Sequence, residues 1–225
     1  MISVVMPVYN EELSLPDTLA SLESQPGDFE IIAVDGGSSD ATKALLSEQA
    51  SVKLLDSAKG RAVQMNRGAR EAKGEWLLFL HADTLLPGGA LARLNQWEPD
   101  QELQAGGFKH QFSGDGIGLR LISWLDNLRC RHSRIIYGDQ AMFVRTDLFH
   151  QLGGFPEDVV MEDVAFCERL VEVTEPRLLP DRVITSSRKF EQMGVWRSFL
   201  RVALILARHE LGLTVNKGRF FADVR

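Results

Sequence analysis

Across the first 83 residues, short apolar runs alternate with helix-forming ones, and each apolar run ends in a polar loop. Ile2 to Met6, Phe29 to Val34, Val52 to Leu55 and Trp76 to Leu80 read as strands. Leu13 to Leu22, Thr42 to Gln49 and Arg61 to Ala72 read as the helices between them, with Ser14 a candidate cap for the first. This β-α-β-α-β-α-β order is half of a doubly wound sheet. Right-handed crossovers place the loops that follow the strands on one edge. Open α/β sheets bind their ligands there.

The remainder is mixed. After Pro87-Gly88-Gly89 a helix is expected through Leu94, a strand over Ala105 to Phe112, and an amphipathic helix over Ile117 to Arg129. Ala141 to Val144, Arg177 to Pro180 and Val183 to Ser186 read as strands. Leu148 to Leu152 reads as a helical turn, Asp163 to Glu172 and Trp196 to Leu211 as helices, and the polar stretch from Thr214 as a loose tail. With 225 residues, 44% of them hydrophobic, the chain can bury a core without staples. The net charge of -6 disfavours nonspecific nucleic-acid binding. Cys130 and Cys167 form no metal-ligand spacing and are expected as reduced thiols. The start, Ile2 to Met6, lacks the pattern of a signal peptide, and no run of about 18 apolar residues crosses a bilayer. These features predict a cytoplasmic protein, with any peripheral membrane contact at the inner face. The broad apolar sides of the 117–129 and 196–211 helices are explained by core packing, by a homodimer seam or by membrane-surface contact.

Four polar stretches follow strands or open helices. Pro7-Val8-Tyr9-Asn10-Glu11-Glu12 offers Tyr9 for stacking on a base; an acidic helix cap is the other reading. Asp35 precedes Gly36-Gly37, which permit close backbone approach, and can accept from a base N–H or a ribose hydroxyl. Ser38, Ser39 or Asp40 is the expected cap of the following helix. The stretch lacks G-x-G-x-x-G, which disfavours hydride chemistry. His81-Ala82-Asp83 puts two polar side chains on one side of an extended segment. Asp83 is a candidate ligand for Mg²⁺ or Mn²⁺, which would also hold a diphosphate, and His81 is a softer ligand or a phosphate donor. Glu162-Asp163 is either a helix cap or a carboxylate that takes a proton from an attacking hydroxyl. The N–H groups of the helix it opens are expected to favour the charged form of Asp163. Gly138-Asp139-Gln140 is a candidate acceptor-side wall. Arg188-Lys189-Phe190-Glu191 is a phosphate-neutralising or a solvated charge run.

Together these stretches resemble glycosyltransferase family 2, inverting enzymes with the GT-A fold, over roughly residues 1 to 190. The resemblance implies that Pro7, Val8, Tyr9, Asn10 and Glu11 contact the nucleotide. The family's Val-Asp-Asp-Gly-Ser-x-Asp is here Val34-Asp35-Gly36-Gly37-Ser38-Ser39-Asp40, which leaves Asp35 for the base. Arg61 and Asn66 match the family's arginine and asparagine on the third helix. The Asp-x-Asp metal motif is His81-Ala82-Asp83, with Asp83 as the direct ligand. Gly153-Gly154-Phe155 followed by Glu162-Asp163 matches the catalytic segment, with Asp163 as the base. The Gln-x-x-Arg-Trp of processive members is absent. A narrower bacterial subgroup, named for arsenosugar biosynthesis, is similar over nearly the full length: it shares Asp-Gly-Gly-Ser-Ser-Asp, Phe-Leu-His-Ala-Asp-Thr, Tyr-Gly-Asp-Gln and Met-Glu-Asp-Val.

The expectation is one GT-A domain over 1–225, mostly parallel sheet flanked by helices. Residues 1–84 form its nucleotide-binding half, 85–212 its acceptor half with the C-terminal helix, and 213–225 a polar tail. Its reaction is metal-dependent, inverting transfer of a sugar from a nucleotide-sugar donor to a hydroxyl acceptor. Asp163 is the base. Pro7, Val8, Tyr9, Glu11, Asp35, Arg61, His81, Ala82, Asp83 and Arg188 hold the donor. Gly138, Asp139, Gln140 and Glu162 lie on the acceptor side, and Asp83 with His81 binds Mg²⁺ or Mn²⁺. The alternatives are a sugar-phosphate nucleotidyltransferase, which would want glycine and lysine in the 7–12 loop, and a non-catalytic nucleotide- or sugar-binding protein.

Overall fold

The computed structural model describes residues 1–96 and 103–210, without the side chains of 206, 209 and 210. The expected polar stretch 97–104 falls mostly outside the described residues, and the expected tail wholly so. The first seven elements follow the expected alternation: β1 (Ile2–Val8), α1 (Leu15–Glu23), β2 (Phe29–Asp35), α2 (Thr42–Ser47), β3 (Val52–Asp56), α3 (Arg61–Glu71) and β4 (Trp76–Phe79). Then come β5 (Thr84–Leu85), α4 (Ala90–Asn95), β6 (Ala105–Phe112) and α5 (Ile117–Ser133). A 3-10 turn over Gly138–Gln140 precedes β7 (Phe143–Arg145), α6 (Thr146–Gln151), α7 (Glu162–Val171), β8 (Arg177–Thr185), α8 (Arg188–Met193) and α9 (Val195–Glu210).

The strands form one sheet in the order β3-β2-β1-β4-β7-β6-β8-β5. β1 is parallel to both β2 and β4, and β2 to β3; β7 runs antiparallel to β4 and β6. This is the GT-A arrangement, a mostly parallel central sheet flanked by helices. The chain order reverses direction across the sheet at β1, so a crevice opens between the carboxyl ends of β1 and β4. Alternation along β1 and β4 divides the core into two layers. Ile2, Val4, Trp76 and Leu78 pack with Leu22, Leu91 and Leu94 on one face. Val5, Leu77 and Phe79 pack with Met65, Phe149 and Phe166 on the other. The small face of α3 explains its close seat: a Cβ on Gly68 would stand 2.4 Å from Val5 Cγ1.

Several boundaries differ from expectation for local reasons. β1 continues past Pro7 to Val8, because Val8 still pairs with Asp35 on β2. Val5 carbonyl accepts from Leu80 N, so the missing N–H of Pro7, two residues on, faces the β4 side beyond that strand's end. Ser14 makes no side-chain cap bond; its hydroxyl donates to Glu11 at 3.3 Å. The two expected strands near 180 are one strand, β8, whose register slips against β6 between Phe108 and Lys109. Pro180, with no N–H to give, sits at that bulge. The 188–193 charge run is a short helix.

Inward residues of α5 and α9 are explained by packing: Leu119 and Ile122 meet Phe112, Phe190, Val195 and Phe199. Their other sides leave Trp124, Trp196, Leu200 and Leu204 exposed. Among the described residues, no helix is long and apolar enough to cross a membrane.

Candidate active site

The crevice at the carboxyl ends of β1 and β4 deepens into a cleft of about 670 Å³. Pro7, Val8, Tyr9, Glu11, Arg61, His81, Ala82, Asp83, Gly138, Asp139 and Asp163 all line it. Residues from five separate stretches of chain thus converge on one space. Asp35, Gln140, Glu162 and Arg188 are not part of its wall.

The loops after β1 and β2 brace one another. Asn10 N–H donates to Ser38 Oγ, Ser39 N–H to Asn10 Oδ1, and Glu11 N–H to Thr42 Oγ1. Asn10 adopts a positive φ of 54°, which its short polar side chain tolerates. Gln64 Nε2 donates to both Val8 O and Val34 O, tying the two strand ends together. Asp35 is buried, and its carboxylate accepts from Gly37 N–H and from the N–H and hydroxyl of Ser38. It shapes its own loop. Asp40, ahead of the Ala41 N-cap, accepts from Thr42 N–H and Glu12 N–H. Tyr9 has one ring face covered by Lys59, whose Nζ lies 3.7 Å from the ring centroid.

At the end of β4, Asp83 faces a cation supplied by the chain. Lys189 Nζ is 3.4 Å from Asp83 Oδ2 and 2.7 Å from Glu11 Oε1. Burial opposes the charge on Lys189, but Asp83 and Glu11 outweigh it and raise its pKa. Arg188, the neighbour singled out by sequence, instead donates to Ser186 Oγ and Ser14 Oγ. Burial, with Arg61 alongside, holds the His81 imidazole down to about 4, so the ring is neutral at neutral pH.

Across the cleft, Asp163 Oδ2 accepts Gly138 N–H at 2.8 Å and Oδ1 accepts Val164 N–H at 2.9 Å. His81 and Asp163 flank the same glycine. A Cβ on Gly138 would stand 2.8 Å from His81 Nε2 and 3.5 Å from Asp163 Oδ2. Sequence reasoning expected helix N–H groups to favour the charged form of Asp163. The structure reverses this: burial first, then the Glu162 carboxylate, raises its pKa against the pull of Arg61 and the two N–H groups. Glu162 turns away from the cleft to an ion pair with Arg61, Nε to Oε1 2.8 Å. Met161, just before it, holds a strained φ of 64° at the N-cap of α7.

The turn that precedes this segment is latched from α3. Asn66 Nδ2 donates to Phe155 O at 2.8 Å, and Phe155 N–H donates to Asn66 Oδ1 at 3.0 Å. Gly154, at φ 69°, lies so close that a Cβ would meet Asn66 Oδ1 at 2.8 Å. Arg169 adds bonds to Leu152 O and Gly154 O. Gln140 is fully buried and accepts Tyr137 N–H at 2.9 Å, which fixes the 138–140 turn from behind.

Sequence reasoning missed Lys59, Gln64, His110, Asp126 and Lys189, all of which line the cleft. Only Lys189 carried a signal, as part of the basic run at 188–189. His110, Asp126 and Asp139 form a cluster capable of holding a divalent metal ion. The far wall is apolar, with Ile122, Leu125, Phe190, Phe199 and Val202.

The chain matches the family model described as Glycosyl transferase family 2 over residues 3–142. Undecaprenyl-phosphate 4-deoxy-4-formamido-L-arabinose transferase of Pseudomonas fluorescens is 38% identical over 104 residues, covering 41% of this chain and 31% of that protein. PGL/p-HBAD biosynthesis glycosyltransferase of Mycobacterium bovis is 39% identical over 102 residues, covering 42% of this chain and 40% of that protein. The matched stretch therefore spans well under half the length of these relatives. Their names overturn the expected tie to arsenosugar biosynthesis: the homologues are named for formamido-arabinose transfer and for PGL/p-HBAD biosynthesis. The motifs behind that expectation form strand ends, the 138–140 turn and the start of α7 around the cleft, positions that shape a site without naming its product. Among solved structures, S. aureus TarS in complex with UDP superposes with a TM-score of 0.68 at 20% identity, covering 82% of this chain and 60% of that one. The mannosyltransferase of Pyrobaculum calidifontis, in complex with GDP-Man and Mn²⁺, gives 0.64 at 24%, covering 81% and 56%. At these identities the likeness shows the fold alone.

Proposed function

From the premise that this chain belongs to glycosyl transferase family 2, we propose that it transfers a sugar from a nucleotide-sugar donor to a hydroxyl acceptor with inversion. The observation that carries the reading is the pair of carboxylates facing one cleft from opposite sides, Asp83 beside Lys189 and Asp163 beside Gly138. Residues 1–84 bind the nucleotide in this reading, and the elements after them bind the acceptor.

The acceptor oxygen attacks the anomeric carbon as the bond from that carbon to the diphosphate oxygen breaks. The proton of the attacking hydroxyl goes to Asp163, and the electron pair leaves with the nucleoside diphosphate. A raised pKa makes Asp163 a stronger base than an ordinary carboxylate, which suits proton removal in the transition state. Gly138 N–H aims the carboxylate, and the Arg61–Glu162 pair keeps the second acid out of the way. Lys189 sets positive charge at the Asp83 end, where the leaving diphosphate gathers negative charge. Asp83 and the neutral His81 imidazole are a ligand set that would suit Mg²⁺ or, better, Mn²⁺. When bound by Asp83 and His81, such an ion would neutralise the leaving group. The apolar far wall supports an acceptor with an apolar portion, as does a relative whose name includes undecaprenyl phosphate.

Melting the protein with a panel of nucleoside diphosphates and Mn²⁺ tests the reading. One diphosphate is expected to raise the melting temperature. Its sugar conjugate should be slowly hydrolysed by wild type and not by D163N. A panel in which nothing shifts the melt overturns it.

A further inference from the structure

His110 is buried on β6 with no hydrogen bond to either ring nitrogen. Its position is nonetheless fixed. Asn127 on α5 takes the His110 N–H at 2.8 Å and donates to its carbonyl at 2.9 Å. The ring stands edge-on to Phe112 with centroids 4.5 Å apart. Nδ1 lies 4.0 Å from Asp126 Oδ2, and Nε2 lies 3.7 Å from Asp139 Oδ2. Both are beyond hydrogen-bond distance. Asp126 Oδ2 and Asp139 Oδ1 are also buried and unpartnered. Of these carboxylate oxygens Arg129 meets Asp126 Oδ1 alone, through Nη2 at 3.0 Å and Nε at 3.2 Å. Three side chains carried by mutually packed elements thus converge, each with at least one unmet polar atom, an arrangement that costs stability unless something fills it.

One ligand atom from each of the three lies within 4.8 Å of the others. Around a zinc-sized ion, neighbouring nitrogen and oxygen ligands sit about 3.4 Å apart, so side-chain rotation closes the gap. We propose that His110, Asp126 and Asp139 bind a divalent ion of the zinc–manganese class, separate from Asp83. One imidazole and two carboxylates favour those ions over Mg²⁺ and Ca²⁺. The two carboxylates outweigh the Arg129 charge, so the site attracts a cation without a nucleotide. Its consequence is positional. Asp139 adjoins Gly138, whose N–H holds Asp163, so the ion joins β6, α5 and the 138–140 turn behind the base. The inference rests on this cluster alone and stands whether or not the donor reading holds.

The test uses the full chain stripped with chelator, without nucleotide, and titrated with Co²⁺ while the visible absorption is followed. Wild type is expected to bind one equivalent at this site with a d–d band that Zn²⁺ displaces and a tenfold excess of Mg²⁺ does not. H110Q and D126N should each lose the band or weaken it at least tenfold; D83N should keep it. Near-UV circular dichroism of the metal-free variants checks the fold, and D126N, at a partly exposed position, decides if H110Q fails to fold. Zn²⁺ should raise the melting temperature of wild type and not of D126N. No band in wild type, or a band that survives both H110Q and D126N, overturns the proposal.

Discussion

Lys189 sets its ammonium 3.4 Å from the Asp83 carboxylate, although 106 residues separate the two in sequence. The same ammonium reaches Glu11 at 2.7 Å, so α8 supplies a positive charge to the ends of both β1 and β4. Lys189→Met removes that charge and keeps the stem. Donor binding is expected to weaken roughly three- to tenfold, as for loss of one charge-assisted contact. Calorimetry with the matched nucleoside diphosphate checks this, and unchanged affinity would detach Lys189 from the donor.

Asp163→Asn keeps the shape of the carboxylate and removes its basicity. Transfer is expected to fall about 10²-fold or more, with donor affinity within about threefold of wild type, because a positioned base acts in the transition state. Glu162→Gln should fall less, since Glu162 faces Arg61 and not the cleft. Transfer rates and separately measured donor affinities for the pair decide the assignment. D163N turning over at near wild-type rate removes Asp163 as the base.

The pH profile follows from the same environment. Asp163 must be ionised to accept a proton, and burial together with Glu162 raises its pKa. Transfer should therefore decline with falling pH earlier than an ordinary carboxylate, of pKa 3.8, would dictate. E162Q removes the neighbouring negative charge and leaves Arg61 to favour the ionised form, so its acid limb should move to lower pH. A limb that stays in place in E162Q would show that another group sets it.

Asn66→Ala opens the latch between α3 and the 153–155 turn. It leaves the buried N–H and carbonyl of Phe155 without partners. A loss of about 2–3 kcal/mol of stability is expected from such unmet groups, measurable by urea denaturation. A loss below about 0.5 kcal/mol would mean the turn relaxes onto other donors.

Leu200 and Leu204 are 66% and 54% exposed on α9. If this face meets a bilayer, wild type should pellet with anionic vesicles, and the double variant L200S/L204S should stay in the supernatant. Sedimentation equilibrium tests the dimer reading on the same samples. A wild-type monomer that ignores vesicles removes both readings of this face.

The alternating half of the sheet was legible because each strand is a short apolar run closed by a polar loop, and such runs have few other uses. The cleft was legible where chemistry coincides with a strand end, as at His81 to Asp83, or with a helix start, as at Asp163. Lys189 was overlooked in favour of Arg188, because a run of two cations does not say which one turns inward. Only the helical turn of α8 decides that. His110 and Asp126 gave no signal: one lies in a strand and the other in an amphipathic helix, and the packing of β6 against α5 alone makes them neighbours. The pKa direction of Asp163 was misjudged for a similar reason. Helix N–H groups can be read from local sequence, but depth of burial cannot.

Two grips of α3 on the 153–163 segment, Arg61 on Glu162 and Asn66 on Phe155, bear on how this chain can be recombined. An exchange of acceptor halves with a relative, cut after residue 84, would separate each grip from its counterpart. The exchangeable module is therefore discontinuous: residues 85 onward together with positions 61 and 66 of the partner sequence. Chimeras that carry those two positions across should fold, and simple end-to-end fusions should misplace the segment that bears Asp163.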